Sequence, residues 1–302
     1  MIPSGTQVTI RSGDYSATTT EVGGGLRTLT HRGVPLVLGF AERAIRTGHR
    51  GSVLAPWPNR VVDGRYGCGG TDFLLPLTEP ERGHALHGLV VWDRFTLVES
   101  APDAVVWVLT SVPQPWYPWA IEVRAGYRMD AATGLAWSVS GRNVSDTPAP
   151  FGCGIHPYAV APTGAVDDWT LTLPVTRVQE VTPDRLVPGA LVPADAALRS
   201  GTSLREKAID NAFTRLVAGA DGTYAASVRD PDGRGVGFRW GPDGPWVQAY
   251  TADGMPGGDH RRAVAIEPMT CGPDAFNSAA ADVLLAPGES RGLTVTIAAL
   301  GS

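Results

Sequence analysis

Ala104-Val105-Val106-Trp107-Val108-Leu109, then Ile121-Glu122-Val123-Arg124, then Leu135-Ala136-Trp137-Ser138-Val139-Ser140, are three short runs of β-branched and aromatic residues in one stretch of chain. The second and third alternate apolar with polar side chains, the period of a strand with one buried face. Working outward, Phe95-Thr96-Leu97-Val98 precedes them. Further toward the N-terminus, Val8-Thr9-Ile10-Arg11 and Tyr15-Ser16-Ala17-Thr18-Thr19-Thr20 predict an opening hairpin around Ser12-Gly13-Asp14, followed by strands in Leu26–Thr30 and Val34–Leu38. Residues 41–52 predict one short helix. In the C-terminal half, strands are expected at Trp169–Leu173, Val178–Val181, Tyr224–Arg229, Gly235–Trp240, Trp246–Thr251, Ala263–Glu267 and Leu293–Ala298, with residues 182–208 as a long proline-containing connection. There is no heptad pattern, no helix-length amphipathic stripe and no internal repeat. More than a dozen strands with little helix predict an all-β protein, a large antiparallel β-sandwich forming a single domain over residues 1–302.

Composition agrees. With 43 % hydrophobic and 18 % charged residues, a sizeable core is available and global disorder is excluded. The 37 glycines and 25 prolines are spread along the chain, as many turns between many strands require. A net charge of −5 argues against nucleic acid as a partner. Three cysteines, Cys68, Cys153 and Cys271, are odd in number and far apart, so neither a disulfide framework nor paired metal-ligand spacing is indicated. The N-terminus lacks the layout of a signal peptide and no apolar run is long enough to span a bilayer, so a soluble cytoplasmic protein without a membrane partner is expected. Oligomeric state is not legible.

Phe151-Gly152-Cys153-Gly154-Ile155-His156-Pro157-Tyr158 carries chemistry. Gly152 and Gly154 permit a tight turn or a close approach, and Pro157 keeps Ile155-His156 extended. The expected product is an imidazole on a stiff strand end beside aromatic walls, a mount for a proton donor or acceptor. In Ala263-Val264-Ala265-Ile266-Glu267-Pro268-Met269-Thr270-Cys271 an apolar strand delivers Glu267 at its end, where Pro268 should stop the ladder. A carboxylate in that company should have a raised pKa and serve as a general base. Residues 51–92 form a long loop-rich stretch of functional character, whose Trp57, Tyr66 and Trp92 need burial. It contains Asn59-Arg60, where the guanidinium can fork onto hydroxyls or a carboxylate, and His87, three residues after another histidine but without the partners of a metal motif. Asp210-Asn211 offers polar acceptors beside Phe213, or a turn cap. Gly288-Glu289-Ser290-Arg291-Gly292 matches a nucleophile elbow in letters only. Pro287 precedes it and a β-rich segment follows, so it reads as a hairpin turn. Gly67-Cys68-Gly69-Gly70 likewise lacks the strand and helix of a phosphate cradle.

Taken in order, Pro58-Asn59-Arg60, Asp63-Gly64 with Tyr66, Leu86-His87-Gly88, Gly154-Ile155-His156-Pro157-Tyr158, Asp210-Asn211-Ala212-Phe213 and Ile266-Glu267-Pro268-Met269-Thr270 resemble the aldose 1-epimerase (galactose mutarotase) family, in particular its bacterial branch. The resemblance covers most of the chain. It implies the sandwich fold and the interconversion of α and β anomers of a free aldose, with no cofactor and no metal. It further implies Glu267 as general base on the anomeric hydroxyl, His156 as general acid on the ring oxygen, and Arg60, His87, Asp210 and Gln248 as sugar-holding residues, with Asn59 supporting. Base and acid are expected on opposite sides of the ring, with nearby carboxylates, Asp210 among them, raising the His156 pKa so that it holds its proton near neutrality. Ala159 and the Trp57 loop depart from many relatives and bear on substrate shape. Three other readings suit parts of the pattern: a non-catalytic carbohydrate-binding protein, a glycoside hydrolase using Glu267 and Asp210, and a hexose-phosphate epimerase using Arg60, Arg65 and Arg82.

Overall fold

The computed structural model describes residues 2–301 and is antiparallel throughout its strand ladders. The stretch from Ala104 to Ser140 forms the spine of a nine-stranded sheet. Ile121–Asp130 pairs with Gly134–Asn143, and the sheet extends through Ala104–Thr110 and Thr96–Ser100 on one side. On the other side follow Ser290–Leu300, Gly235–Trp240, Tyr224–Arg229, Thr170–Thr172 and Thr202–Ser203. Alternation is strict where the sequence predicts it. Ile121, Val123, Ala125, Tyr127 and Met129 are buried, while Arg124, Arg128 and Asp130 are exposed. Register sets Tyr127 opposite Trp137 and Ala125 opposite Val139, so the inward side chains pair across strands.

An eight-stranded sheet runs Pro188–Pro193, Arg177–Val181, Asp210–Thr214, Trp246–Tyr250, Val264–Met269, Gly154–Ile155 and Val53–Leu54, with Tyr158–Ala159 also paired to Val264–Met269. A four-stranded N-terminal sheet begins with the expected hairpin, Gln7–Ser12 against Tyr15–Thr20. It is tied to the nine-stranded sheet where Trp107 Nε1 donates to Thr19 Oγ1 and the Tyr127 hydroxyl to Gly24 O. One cluster of buried side chains joins all three, from Ile10 and Leu29 through Trp137 and Phe238 to Val247 and Ile266. This is a β-sandwich. Among the described residues the α-helix is one turn, Ala275–Ser278, and no helix is long and apolar enough to cross a membrane.

Several local expectations are corrected. Residues 41–52 are turns, not a helix. Gly48, His49 and Gly51 have φ of 59°, 54° and 65°, a left-handed backbone incompatible with a helix, and a Cβ on Gly51 would stand 1.8 Å from Leu26 O. The connection 182–208 contains two strands, Pro188–Pro193 and Thr202–Ser203. The first lies at a sheet edge, where prolines are tolerated because no ladder donor is needed. Trp57 and Tyr66 are buried, but Trp92 is 56 % exposed, one face stacked on the Arg46 guanidinium at 4.7 Å. Gly288–Gly292 is a turn entering Ser290–Leu300, and Gly69-Gly70 turns the hairpin Arg65–Cys68 to Thr71–Leu74.

Candidate active site

Three neighbouring strands of the eight-stranded sheet, and the residue that follows the fourth, Gly154–Ile155, each lend a polar side chain to one face. Ala212 is registered opposite Gln248, and Gln248 opposite Glu267. The pairs Gly154–Met269 and Tyr158–Ala265 bracket His156 and set it level with Glu267. Side chains two residues apart share a face, so Asp210, Gln248, Glu267 and His156 form a row across the sheet, with Tyr250 and Tyr158 beside them. The intervening Val247, Ala249, Ile266 and Ile155 point into the core and are fully buried. The ladder does not stop at Pro268, which pairs with Val247 while Met269 pairs with Trp246. Proline removes a donor but keeps its carbonyl, and Glu267 therefore lies inside the sheet rather than at its end. Close approach, not turning, explains the glycines before His156. A Cβ on Gly152 would meet Cys271 Sγ at 2.3 Å, and one on Gly154 would meet Met269 Cγ at 3.0 Å.

His156 Nε2 lies 3.4 Å from Glu267 Oε1, with both side chains almost wholly buried. The two groups are adjacent, not on opposite sides of a sugar ring. The expected rise in the His156 pKa is also overturned: burial, reinforced by His49, pushes it well below the ordinary value. Burial and the negative charge of Asp210 push Glu267 well above its usual range, against the pull of Arg60. His156 Nδ1 and Glu267 Oε2 have no hydrogen-bond partner. The pair is thus held short of its polar complement, facing a cavity of about 590 Å³, a size suited to a small ligand.

Loops complete the walls. Asn59 and His87 both adopt left-handed backbone, φ 55° and 62°, and exchange bonds: His87 N donates to Asn59 O, and Asn59 N donates to His87 Nδ1 at 3.2 Å. The second bond leaves the His87 proton on Nε2. The ligand atoms of His87, His156 and Glu267 fall within 4.8 Å of one another, a spacing compatible with a metal ion. With Nδ1 accepting a backbone N–H, however, Nε2 of His87 is a donor rather than a ligand lone pair. A directed chain crosses the site: Arg60 N donates to Asn59 Oδ1, Asn59 Nδ2 to Gln248 Oε1, and Gln248 Nε2 to Asp210 Oδ1. Arg60 forks onto Glu79 through Nε at 2.7 Å and Nη2 at 2.8 Å, and Arg82 joins the same carboxylate.

All seven residues singled out from sequence, Asn59, Arg60, His87, His156, Asp210, Gln248 and Glu267, line this cavity. Asp210 belongs to a strand rather than a turn cap. His84 does not take part; its ring bonds Asp63 N and Arg185 O. Ala159 and Trp57 lie in the core, away from the cavity lining. Sequence reading missed Glu79, which carries no pattern in its loop, and His49, hidden by the mistaken helix. His49 packs 4.7 Å from His87 and 6.3 Å from His156, ring centre to ring centre, and burial lowers its pKa to about 4.

Comparison with known proteins extends the picture. The family model described as aldose 1-epimerase matches residues 6–298. The chain is 31 % identical, over 97 % of its length and 93 % of the relative's, to the uncharacterized protein YihR of Escherichia coli K12. Among solved structures, a galactose mutarotase-like protein of Clostridium acetobutylicum superposes with a TM-score of 0.85 at 17 % identity, covering 97 % of this chain and 94 % of that one. A GalM/aldose epimerase homologue of C. elegans gives 0.84 at 20 % identity, covering 97 % and 98 %. These two likenesses concern the fold.

Proposed function

The chain belongs to the aldose 1-epimerase family, and from that premise we propose that it interconverts the α and β anomers of a free aldose by acid–base ring opening and reclosure. The observation that carries this reading is the 3.4 Å His156–Glu267 pair facing a sugar-sized cavity. The two oxygens that must exchange protons, the anomeric O1 and the ring O5, are both bonded to C1, so adjacent protein groups can serve both.

Glu267 accepts the O1 proton while His156 Nε2–H donates to O5. The C1–O5 bond breaks and C1=O1 forms. Rotation about C1–C2 presents the other face of the aldehyde, and the reverse transfers close the ring. A carboxylate with a raised pKa is the stronger base, and an imidazolium with a lowered pKa the stronger acid. Burial therefore drives the pair toward protonated carboxyl and neutral imidazole, which is the state ring opening produces. The pair carries one proton throughout and its net charge never changes, which suits a dry site. In this reading Asp210 and Gln248 lie toward O2, Glu267 at O1 and His156 at O5, the order in which they follow one another across the sheet. His87 Nε2–H is a neutral donor. Arg60 and Arg82 are both engaged by Glu79, which favours a neutral sugar over a sugar phosphate.

The test is polarimetry on freshly dissolved α-aldoses, starting with glucose and galactose. Catalysed decay of optical rotation is expected. No acceleration of any free aldose over buffer would remove the proposal.

A further inference from the structure

A second cleft of about 580 Å³ adjoins the first, and His49 and Leu86 line both. Nothing in the proposed mechanism uses it. Trp92 lines it, on the 3-10 turn Val90–Trp92, with one face stacked on Arg46, itself buried and bonded to Val91 O and Val22 O. The end of Ala104–Thr110 and the segment after it also line it, with Val112 at 72 % exposure and Thr110, Ser111 and Gln114 as polar groups. Asp93 and Arg94, one acid and one base, also line it.

Position says what occupies this cleft. Around a pyranose the sequence of atoms is C2, C1, O5, C5, and C5 carries C6. Across the sheet the sequence of side chains is Asp210, Gln248, Glu267, His156, and beyond the His156 strand comes Val53–Leu54 with the His49 loop leading into it. Extending the match by one step puts C5 and its C6 substituent against His49 and Leu86, the common wall of the two clefts. Resting on the reading of the first cavity as an aldose site, we infer that the second cleft receives a glycosyl unit attached through O6, so that 1→6-linked reducing disaccharides are a substrate class. An exposed indole face backed by a cation, flanked by hydroxyls and an amide, suits a ring with one apolar face and an equatorial belt of hydroxyls. Balanced charge in the lining suits a neutral unit. A cleft as large as the first matches a second ring of equal size.

The experiment compares binding and turnover for sets built on the free aldose that binds best. For glucose these are isomaltose and gentiobiose (6-linked) against maltose and cellobiose (4-linked). Binding is measured by calorimetry on Glu267→Gln, and anomeric exchange by NMR on the active protein. The 6-linked sugars are expected to bind at least about fivefold more tightly than the free aldose, and the 4-linked ones not to gain. Trp92→Ala, and independently Val112→Arg, which fills the cleft from an exposed position, should each bring that ratio to about one. No gain for 6-linked sugars, an equal gain for 4-linked ones, or a gain surviving both variants overturns the inference. If exchange is absent for every sugar but the binding pattern holds, the catalytic reading falls and the cleft assignment stands. If no sugar binds, both fall.

Discussion

The two large sheets share antiparallel ladders, yet only one turns a row of polar side chains toward a cavity. In the nine-stranded sheet the inward residues are Trp107, Trp137, Phe238, Val295 and their like, all buried in one apolar cluster. In the eight-stranded sheet one face is equally apolar, through Val247, Ala249, Ile266 and Ile155, while the other shows Asp210, Gln248, Glu267 and His156 to a cavity. Sheet architecture is the same; what differs is that the second sheet leaves a polar row roofed by loops instead of by another apolar layer. The first sheet supplies stability. The second supplies groups whose pKa values are displaced because they are buried without full partners.

The sharpest way to break this comparison is to remove the polar pair. Glu267→Gln and His156→Asn should each lower the anomerisation rate by roughly 10²- to 10⁴-fold while leaving the unfolding midpoint in urea near that of the wild type. Full activity in either variant would sink the division of labour. The pH dependence adds a signature. Because the Glu267 pKa is raised, the folded state holds a proton that the unfolded state releases, so stability falls as pH rises above the ordinary carboxylate range. Glu267→Gln should abolish that slope and match or exceed wild-type stability at pH 8. Because the His156 pKa is lowered, the unfolded state binds the extra proton, and stability falls as pH drops below about 6.5. The same two shifts place the active single-proton state of the pair in a plateau between an acid limb set by the lowered His156, well under the ordinary imidazole range, and an alkaline limb set by the raised carboxyl.

The converse change belongs to the other sheet. Trp137→Ala should cost about 3–5 kcal/mol in chemical denaturation, with activity per folded molecule unchanged. A drop in activity per folded molecule would mean the sheets are coupled. Glu79→Ala is intermediate: it lies in the site region but strands Arg60, 8 % exposed, without its partner. A loss of about 3–5 kcal/mol is expected, with activity falling because the freed guanidinium relocates toward Asp210 and Glu267, which already act on it.

The same contrast explains what could be read from sequence. The nine-stranded sheet was legible because a single buried face writes period 2 into Ile121–Asp130 and Gly134–Asn143. The seven site residues were found through ordered short motifs and family resemblance, not through periodicity. Elements whose conformation depends on distant neighbours were not legible. Left-handed backbone at His49 is fixed by its tertiary setting, so its segment passed for a helix. Glu79 matters through Arg60, nineteen positions earlier, which no local pattern announces. The separation of His156 from Glu267 was misjudged because distance across a sheet follows from register, and register here depends on pairing Gly154 with Met269, far along the chain. The pKa direction of His156 was misjudged for a related reason: the burial and the nearby His49 that lower it follow from the tertiary setting, not from any local pattern.

The smallest expected effect probes the loop that organises the polar row. Asn59 contributes through its backbone, in left-handed conformation with N–H held by His87 Nδ1, and through its side chain, which links Arg60 N to Gln248. Asn59→Gly keeps the φ of 55° free of strain and removes only the amide. It should cost about 1 kcal/mol, read as a rise of about fivefold in KM with kcat little changed, since Gln248 loses the partner that aims its Nε2 at Asp210. Asn59→Ala removes the same amide and adds a Cβ penalty of about 1–2 kcal/mol in the left-handed region, so it should also lower stability and disturb the bond that sets the His87 tautomer. If the two variants behave alike, the backbone geometry is irrelevant to the site and the side-chain chain alone orders the row. If glycine behaves as wild type while alanine does not, the row is ordered by the loop backbone, and the polar face depends on its roof as much as on the sheet beneath it.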